Sequence, residues 1–122
     1  MKNEYNIAEK IKEVSFSNCY ISEITILEIR YGIENSSSGK KNHNFIQLAS
    51  LETSFEDRIL LVRSAFKAFA EEKTRLRKAG TLISDFDLLI GCSALTANYT
   101  LASRNVREMS RIQGLKYENW ID

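Results

Sequence analysis

The sequence predicts an α/β domain in which helices alternate with the short strands of a mainly parallel central sheet. Three observations lead there. Helical apolar spacing alternates along the chain with short apolar runs of strand length. One helical stretch, from about Phe86 to Asn98, is apolar on nearly every side, the pattern of a helix buried against a sheet. A chain of 122 residues is the length of one domain with a single core.

Each element follows from local chemistry. Asn6 can cap a short helix with Ile7, Ala8, Ile11 and Val14 on one face, broken by Ser17-Asn18. Cys19-Tyr20-Ile21 reads as a strand. Ser22 or Thr25 then opens a helix that turns Ile24, Leu27, Tyr31 and Ile26 inward and ends between Gly32 and Asn35. Residues 36–42, SSSGKKN, have the composition of a flexible loop. Phe45, Leu48 and Leu51 share a helix face. Ile59 to Val62 is a strand-length run that is β-favouring at its ends. A long helix follows from Arg63 to Lys78, with Ala65, Phe66, Phe69, Ala70 and Leu76 inward, and Gly80 stops it. After the apolar helix come strands at Tyr99–Ser103 and Leu115–Tyr117.

Charge excludes little. Lys plus Arg number 17 and Asp plus Glu 16, so net charge alone drives the chain toward neither nucleic acid nor membrane. The strip Lys73, Arg75, Arg77, Lys78 is either a local RNA contact or a solvated helix face. No signal peptide and no bilayer-length apolar run is present, which makes the cytoplasm the expected compartment and a membrane an unexpected partner. Cys19 and Cys92 lack CxxC spacing and read as small buried hydrophobes in a reducing compartment. His43, the one histidine, sits in a polar stretch unsuited to a triad or a zinc site.

Chemistry concentrates in acids near strand ends, where open parallel sheets place their sites. Asp85 and Asp87 open the apolar helix, a position that suits oxygen ligands for a divalent cation. An N-cap role and a dipole-complementing role explain the same two residues. Glu28 lies between Leu27 and Ile29, a costly place for a charge if both neighbours are core, and an ordinary one if that face is exposed. Asn105 and Glu108 follow the Tyr99–Ser103 strand, and Glu108 beside Arg107 is equally consistent with plain surface.

The segments CYISEITILEIRYGIENS (19–36), KAGTLISDFDLLIGCSAL (78–95) and LASRNVREMSRIQGLKYENW (101–120) resemble, in order and spacing, the PIN-domain ribonuclease toxins of the VapC type, a family whose best-known members are tRNA(fMet)-specific endonucleases. The resemblance covers nearly the whole chain. It implies a single PIN-like domain over 1–122, a mainly parallel central sheet of four to five short strands flanked by helices, with acidic residues clustered at one sheet end around Mg²⁺ or Mn²⁺. Glu28 falls on the family's helix glutamate and Asp87 on its aspartate before the buried helix. Asn105 and Glu108 fall in the block supplying the remaining polar ligands, and Asp85 is a weaker ligand candidate. Within this reading Glu28, Asp87 and Glu108 are the catalytic carboxylates. Ser103 hydrogen-bonds their shell or simply ends its strand. Arg104 and Arg107 contact phosphate or serve solubility. A VapB-type antitoxin, an RNA substrate of the tRNA class and homodimerisation are the implied partners.

The chain departs from that pattern at its start. The family opens with a strand followed by "DTN", whose aspartate is a metal ligand, whereas this chain begins MKNEYNIAEK. A strand plus its turn, on the order of fifteen residues, is without a counterpart. The domain is therefore expected to be N-terminally incomplete, to bind metal weakly and to cut RNA poorly. It is also expected to expose apolar surface that favours association. A remnant that only binds an antitoxin or its own copies is the alternative function.

Overall fold

The computed structural model describes residues 9–120. The Asn6 cap and the first apolar positions, Ile7 and Ala8, lie outside the described residues. Helix α1 is described over 9–14, and a 3₁₀ turn at Phe16–Asn18 ends it where the Ser17-Asn18 break was expected. β1 (Ile21–Ser22) runs straight into α2 (Glu23–Glu34). Ser22 caps α2 by accepting a hydrogen bond from the Ile24 N–H at 3.1 Å. α3 (Lys41–Ser54) begins within the stretch read as a flexible loop, because Ser38–Lys40 already coil into a 3₁₀ turn. β2 (Ile59–Leu60) is half the apolar run around it, and Val62–Ala65 form a 3₁₀ turn leading into α4 (Phe66–Ala79). Gly80, at φ 72°, takes the left-handed conformation that ends α4. Then follow α5 (Asp85–Ala97), β3 (Thr100–Ala102), the single turn α6 (Val106–Met109) and β4 (Lys116–Glu118).

The strands pair in parallel, as expected, but as two separate ribbons. β1 pairs with β2, and β3 with β4. Tyr20 and Tyr99, which lead into β1 and β3, stack across the gap with ring centroids 4.7 Å apart. Arg58 fastens the first ribbon. Its guanidinium donates to the carbonyls of Phe16 at 2.7 Å, Cys19 at 2.6 Å and Ser54 at 2.9 Å, and lies over the rings of Phe16 and Phe55.

The main core belongs to the second half of the chain. Ala65 and Leu76 from the α4 side, Ile83, and Leu88, Cys92 and Ala94 of α5 pack against Met109, Ile112 and Leu115. Leu88 is fully buried, which stabilises the fold by roughly 1.5–3 kcal/mol. A Cβ on Gly91 would run into the Ile112 side chain, so the glycine lets α5 and the 109–115 segment approach closely.

The first half is covered less well than its pattern suggested. Ile24 and Ile33 are buried, but Leu27 and Tyr31 of α2 are exposed, as are Ile46 and Phe66. Apolar spacing locates a stripe without saying whether a layer exists to cover it. Cys19 is likewise half-exposed rather than buried. Cys92 is wholly buried, and the loss of water around it pushes its thiol up to about 12. At pH 8 a thiol reagent is accordingly expected to titrate one cysteine in the folded protein and two in guanidinium. Two fast-reacting thiols in the folded chain would contradict this packing.

Candidate active site

Two helix starts and one strand end meet at the polar site. Ser84 caps α5 by accepting from the Asp87 N–H at 3.2 Å. The standard use of an acid three residues past a cap is to reach back to the cap's own N–H. Asp87 instead turns its carboxylate outward to Asn105, where the amide Nδ2 stands 3.5 Å from Oδ2. Asn105 sits just past β3, at the N-cap position of α6, and makes no capping bond with its side chain. Its position is fixed by the Ser103 hydroxyl, which accepts the Asn105 backbone N–H at 3.0 Å. Both side chains thus forgo capping and face one another, 18 residues apart in sequence. The Ser103 hydroxyl shapes the turn that carries Asn105.

The other expected members stand differently. Asp85 ion-pairs with Lys73 of α4 at 2.9 Å. Two residues before Asp87 on the helix, it faces another side. Glu28 is exposed, and residues 27–30 around it are exposed throughout. The costly burial inferred from Leu27 and Ile29 is absent, since they are 47% and 37% exposed. Glu108 is half-buried on α6. Among the described residues no group of three or more His, Cys, Asp or Glu is gathered to hold a metal. The convergence of Glu28, Asp87 and Glu108 is therefore not realised in this conformation. Open solvent around Glu28 leaves nothing to press its carboxylate toward a second and third like charge, which repel it. Arg104 and Arg107 lie exposed on either side of Asn105 in sequence.

The donor set has the chemistry of a hard-cation site. A carboxylate and an amide oxygen, with water completing the shell, suit Mg²⁺, which binds through one or two carboxylates and keeps several waters. Rotation of the Asn105 amide presents Oδ1 beside Asp87.

Half the basic strip of α4 is spent on structure. The Arg75 guanidinium donates to both Glu72 oxygens, at 2.7 and 3.0 Å, and to the Arg111 carbonyl at 2.6 Å. Glu72 Oε1 also accepts the Gln113 N–H at 2.8 Å. This knot clips α4 to the segment that follows α6, and nothing in the charge pattern of AEEKTRLRKAG marks Glu72 as buried.

The fold and this oxygen-donor pair define an α/β domain with a polar site just past the end of one parallel ribbon. No protein-family model matches the chain. Among curated proteins it is 31% identical over 103 residues to ribonuclease VapC2 of Rickettsia felis, covering 82% of this chain and 72% of that one. It is 33% identical over 104 residues to ribonuclease VapC2 of Haemophilus influenzae, covering 83% and 74%. Among solved structures, the DNA-bound VapBC complex of Salmonella typhimurium superposes with a TM-score of 0.83 at 26% identity, over 94% of this chain and 84% of that one. The promoter-bound VapBC2 complex of Rickettsia felis superposes with a TM-score of 0.77 at 31% identity. The chain belongs to the VapC ribonuclease family, and its fold is the PIN-like domain of those complexes. Among the described residues no helix is long and apolar enough to cross a membrane.

Proposed function

We propose that this chain is a metal-dependent endoribonuclease, the toxin half of a toxin–antitoxin pair, with RNA of the tRNA class as its substrate. The observation that carries the reading is the Asp87–Asn105 contact, in which two helix-start side chains give up capping to form an oxygen-rich pair. Asp87 and Asn105 would hold Mg²⁺ or Mn²⁺. A cation bound there supplies Lewis acidity to the phosphodiester and to the attacking water. Ser103 keeps Asn105 in place. Glu28 and Glu108 would be the further carboxylates of such a site. Arg104 and Arg107 offer positive charge to the RNA backbone. The names of the relatives support a VapB-type antitoxin as partner. Pairing of two copies would cover the apolar surface left on α2 and α3.

A second reading, a non-catalytic remnant that binds antitoxin or its own copies, draws on the ungathered carboxylates. Incubating the purified chain with labelled tRNA and Mn²⁺ separates the two. Slow, chelator-sensitive cleavage is expected, and antitoxin binding without any cleavage would establish the remnant.

A further inference from the structure

The start of α5 presents an aromatic ring that neither the core nor the Asp87–Asn105 pair uses. Successive residues step round a helix by about 100°. Leu88 takes the core side and is fully buried, so Asp85, Phe86 and Asp87 fan out over the remaining sides. Asp87 meets Asn105 on one flank, and Asp85 meets Lys73 at 2.9 Å on the other. Phe86 stands between them and is 44% exposed. Phe16, Tyr20 and Tyr99 are exposed to a similar degree, but each has a ring or guanidinium stacked on it. Among the described residues Phe86 has neither.

Beyond Asp85, α4 turns a basic face to solvent. Lys73, Thr74 and Arg77 line, with Ala70, a hollow of about 270 Å³. Lys73 and Arg77 are one helical turn apart, with Cβ atoms about 5–6 Å from each other. No carboxylate lines this hollow, because Glu71 pairs with Lys67 and Glu72 is held by Arg75. Arg77 has no ion pair among the described residues.

We propose that an RNA strand crosses the molecule here, with Phe86 stacking one unpaired base beside Asp87 and with Lys73 and Arg77 holding phosphates on the side away from Asn105. This rests on the RNA-cleaving reading above and adds the residues that receive the strand. A π face for a base and positive charge along the backbone are the two parts from which single-strand sites are built. The ring and the two cations flank the same helix start, so one strand reaches all three while its backbone passes Asp87. An incoming phosphate competes with Asp85 for Lys73, an exposed pair that costs little to exchange. Bases stacked inside a duplex have no free face, so the arrangement selects RNA with an unpaired base next to the bond that is cut.

The probe is a single-stranded RNA of about eight nucleotides carrying one 2-aminopurine. It is titrated with the full chain in chelator, so that affinity is read apart from cleavage. Saturable binding with a change in 2-aminopurine emission is expected. Phe86→Leu keeps an apolar side chain without a π face, and is expected to weaken binding at least about fivefold and to abolish the emission change. Phe86→Trp should keep both. Because the site is exposed, both variants are expected to melt within about 3 °C of the starting chain. Lys73→Gln and Arg77→Gln should each lower the slope of log affinity against log salt by about 0.7–1, with the emission change at saturation retained. A strand of the same length with abasic residues throughout offers phosphates alone and is expected to bind at least about fivefold more weakly. If Phe86→Leu does not fold, that abasic strand decides. Binding indifferent to Phe86→Leu, or equal binding of the abasic strand, overturns the stacking role, while Mn²⁺-dependent cleavage of tRNA measured beside it keeps the nuclease reading. Absence of both RNA binding and cleavage overturns the two together.

Discussion

Asp87→Asn is expected to lower Mn²⁺-dependent RNA cleavage at least about a hundredfold, with the melting temperature unchanged to within about 2 °C. The size follows from the role. Loss of a supporting group around a metal costs about 10–100-fold, and loss of the charged oxygen donor itself costs no less. The small change in stability follows from the geometry. Ser84 caps α5 through the Asp87 backbone N–H, which asparagine keeps, and an amide still reaches Asn105. What is lost is a favourable charge near a helix start, about 0.3–1 kcal/mol. Asp85→Asn is the matched control. It removes one carboxylate from the same helix start, but that carboxylate faces Lys73, a surface pair worth about 0.2–1 kcal/mol. Cleavage within about threefold of the starting chain is expected for it. Equal losses in the two variants would mean that general negative charge at α5, and not the Asp87–Asn105 pair, serves the reaction.

That contrast also shows where sequence reasoning reached. The opening of α5 was legible because its signals are local, Asp85 and Asp87 at the start of an apolar helix, although the cap is Ser84 and both acids stand inside the first turn. Periodicity could not assign the two acids to different partners, since those partners, Lys73 and Asn105, come from other elements. Asn105 was legible only by its place just after the Tyr99–Ser103 strand, a position that says nothing of its partner. The burial reading of Glu28, one of two the sequence left open, gave way to a non-local fact. An acid between Leu27 and Ile29 is costly only if a layer covers that face, and none does among the described residues. Parallel pairing was legible from alternating helices and short strands. The split into two ribbons was not, because whether two edges meet depends on what lies between them, and apolar runs of two or three residues say nothing of that.

Glu72 is the residue whose weight the sequence conceals most, and Glu72→Ala is expected to cost about 2 kcal/mol, or roughly 10 °C in melting temperature. It sits among six charged residues of an amphipathic helix, in a pattern that reads as solvent face. The fold buries it because the 111–113 segment passes over α4 and brings the Gln113 N–H to its Oε1 at 2.8 Å. Alanine leaves that N–H without its acceptor and frees Arg75, whose guanidinium also holds the Arg111 carbonyl. Because α6 and Asn105 precede this clip directly in the chain, loosening it should also slow cleavage more than a surface change of equal stability cost. Acid offers an independent check. The Arg75 guanidinium bonded to Glu72 outweighs burial and, with the Gln113 N–H, holds the carboxyl below its usual 4.5. A depressed folded value means that its stabilisation is complete above the unfolded value and is lost as pH falls through the folded one. The starting chain should therefore lose stability progressively below about pH 4.5. Glu72→Gln, which keeps an acceptor for Gln113 but no titrating group, should show a shallower decline over the same range. Parallel acid profiles for the two would mean that Glu72 does not anchor this segment through its charge.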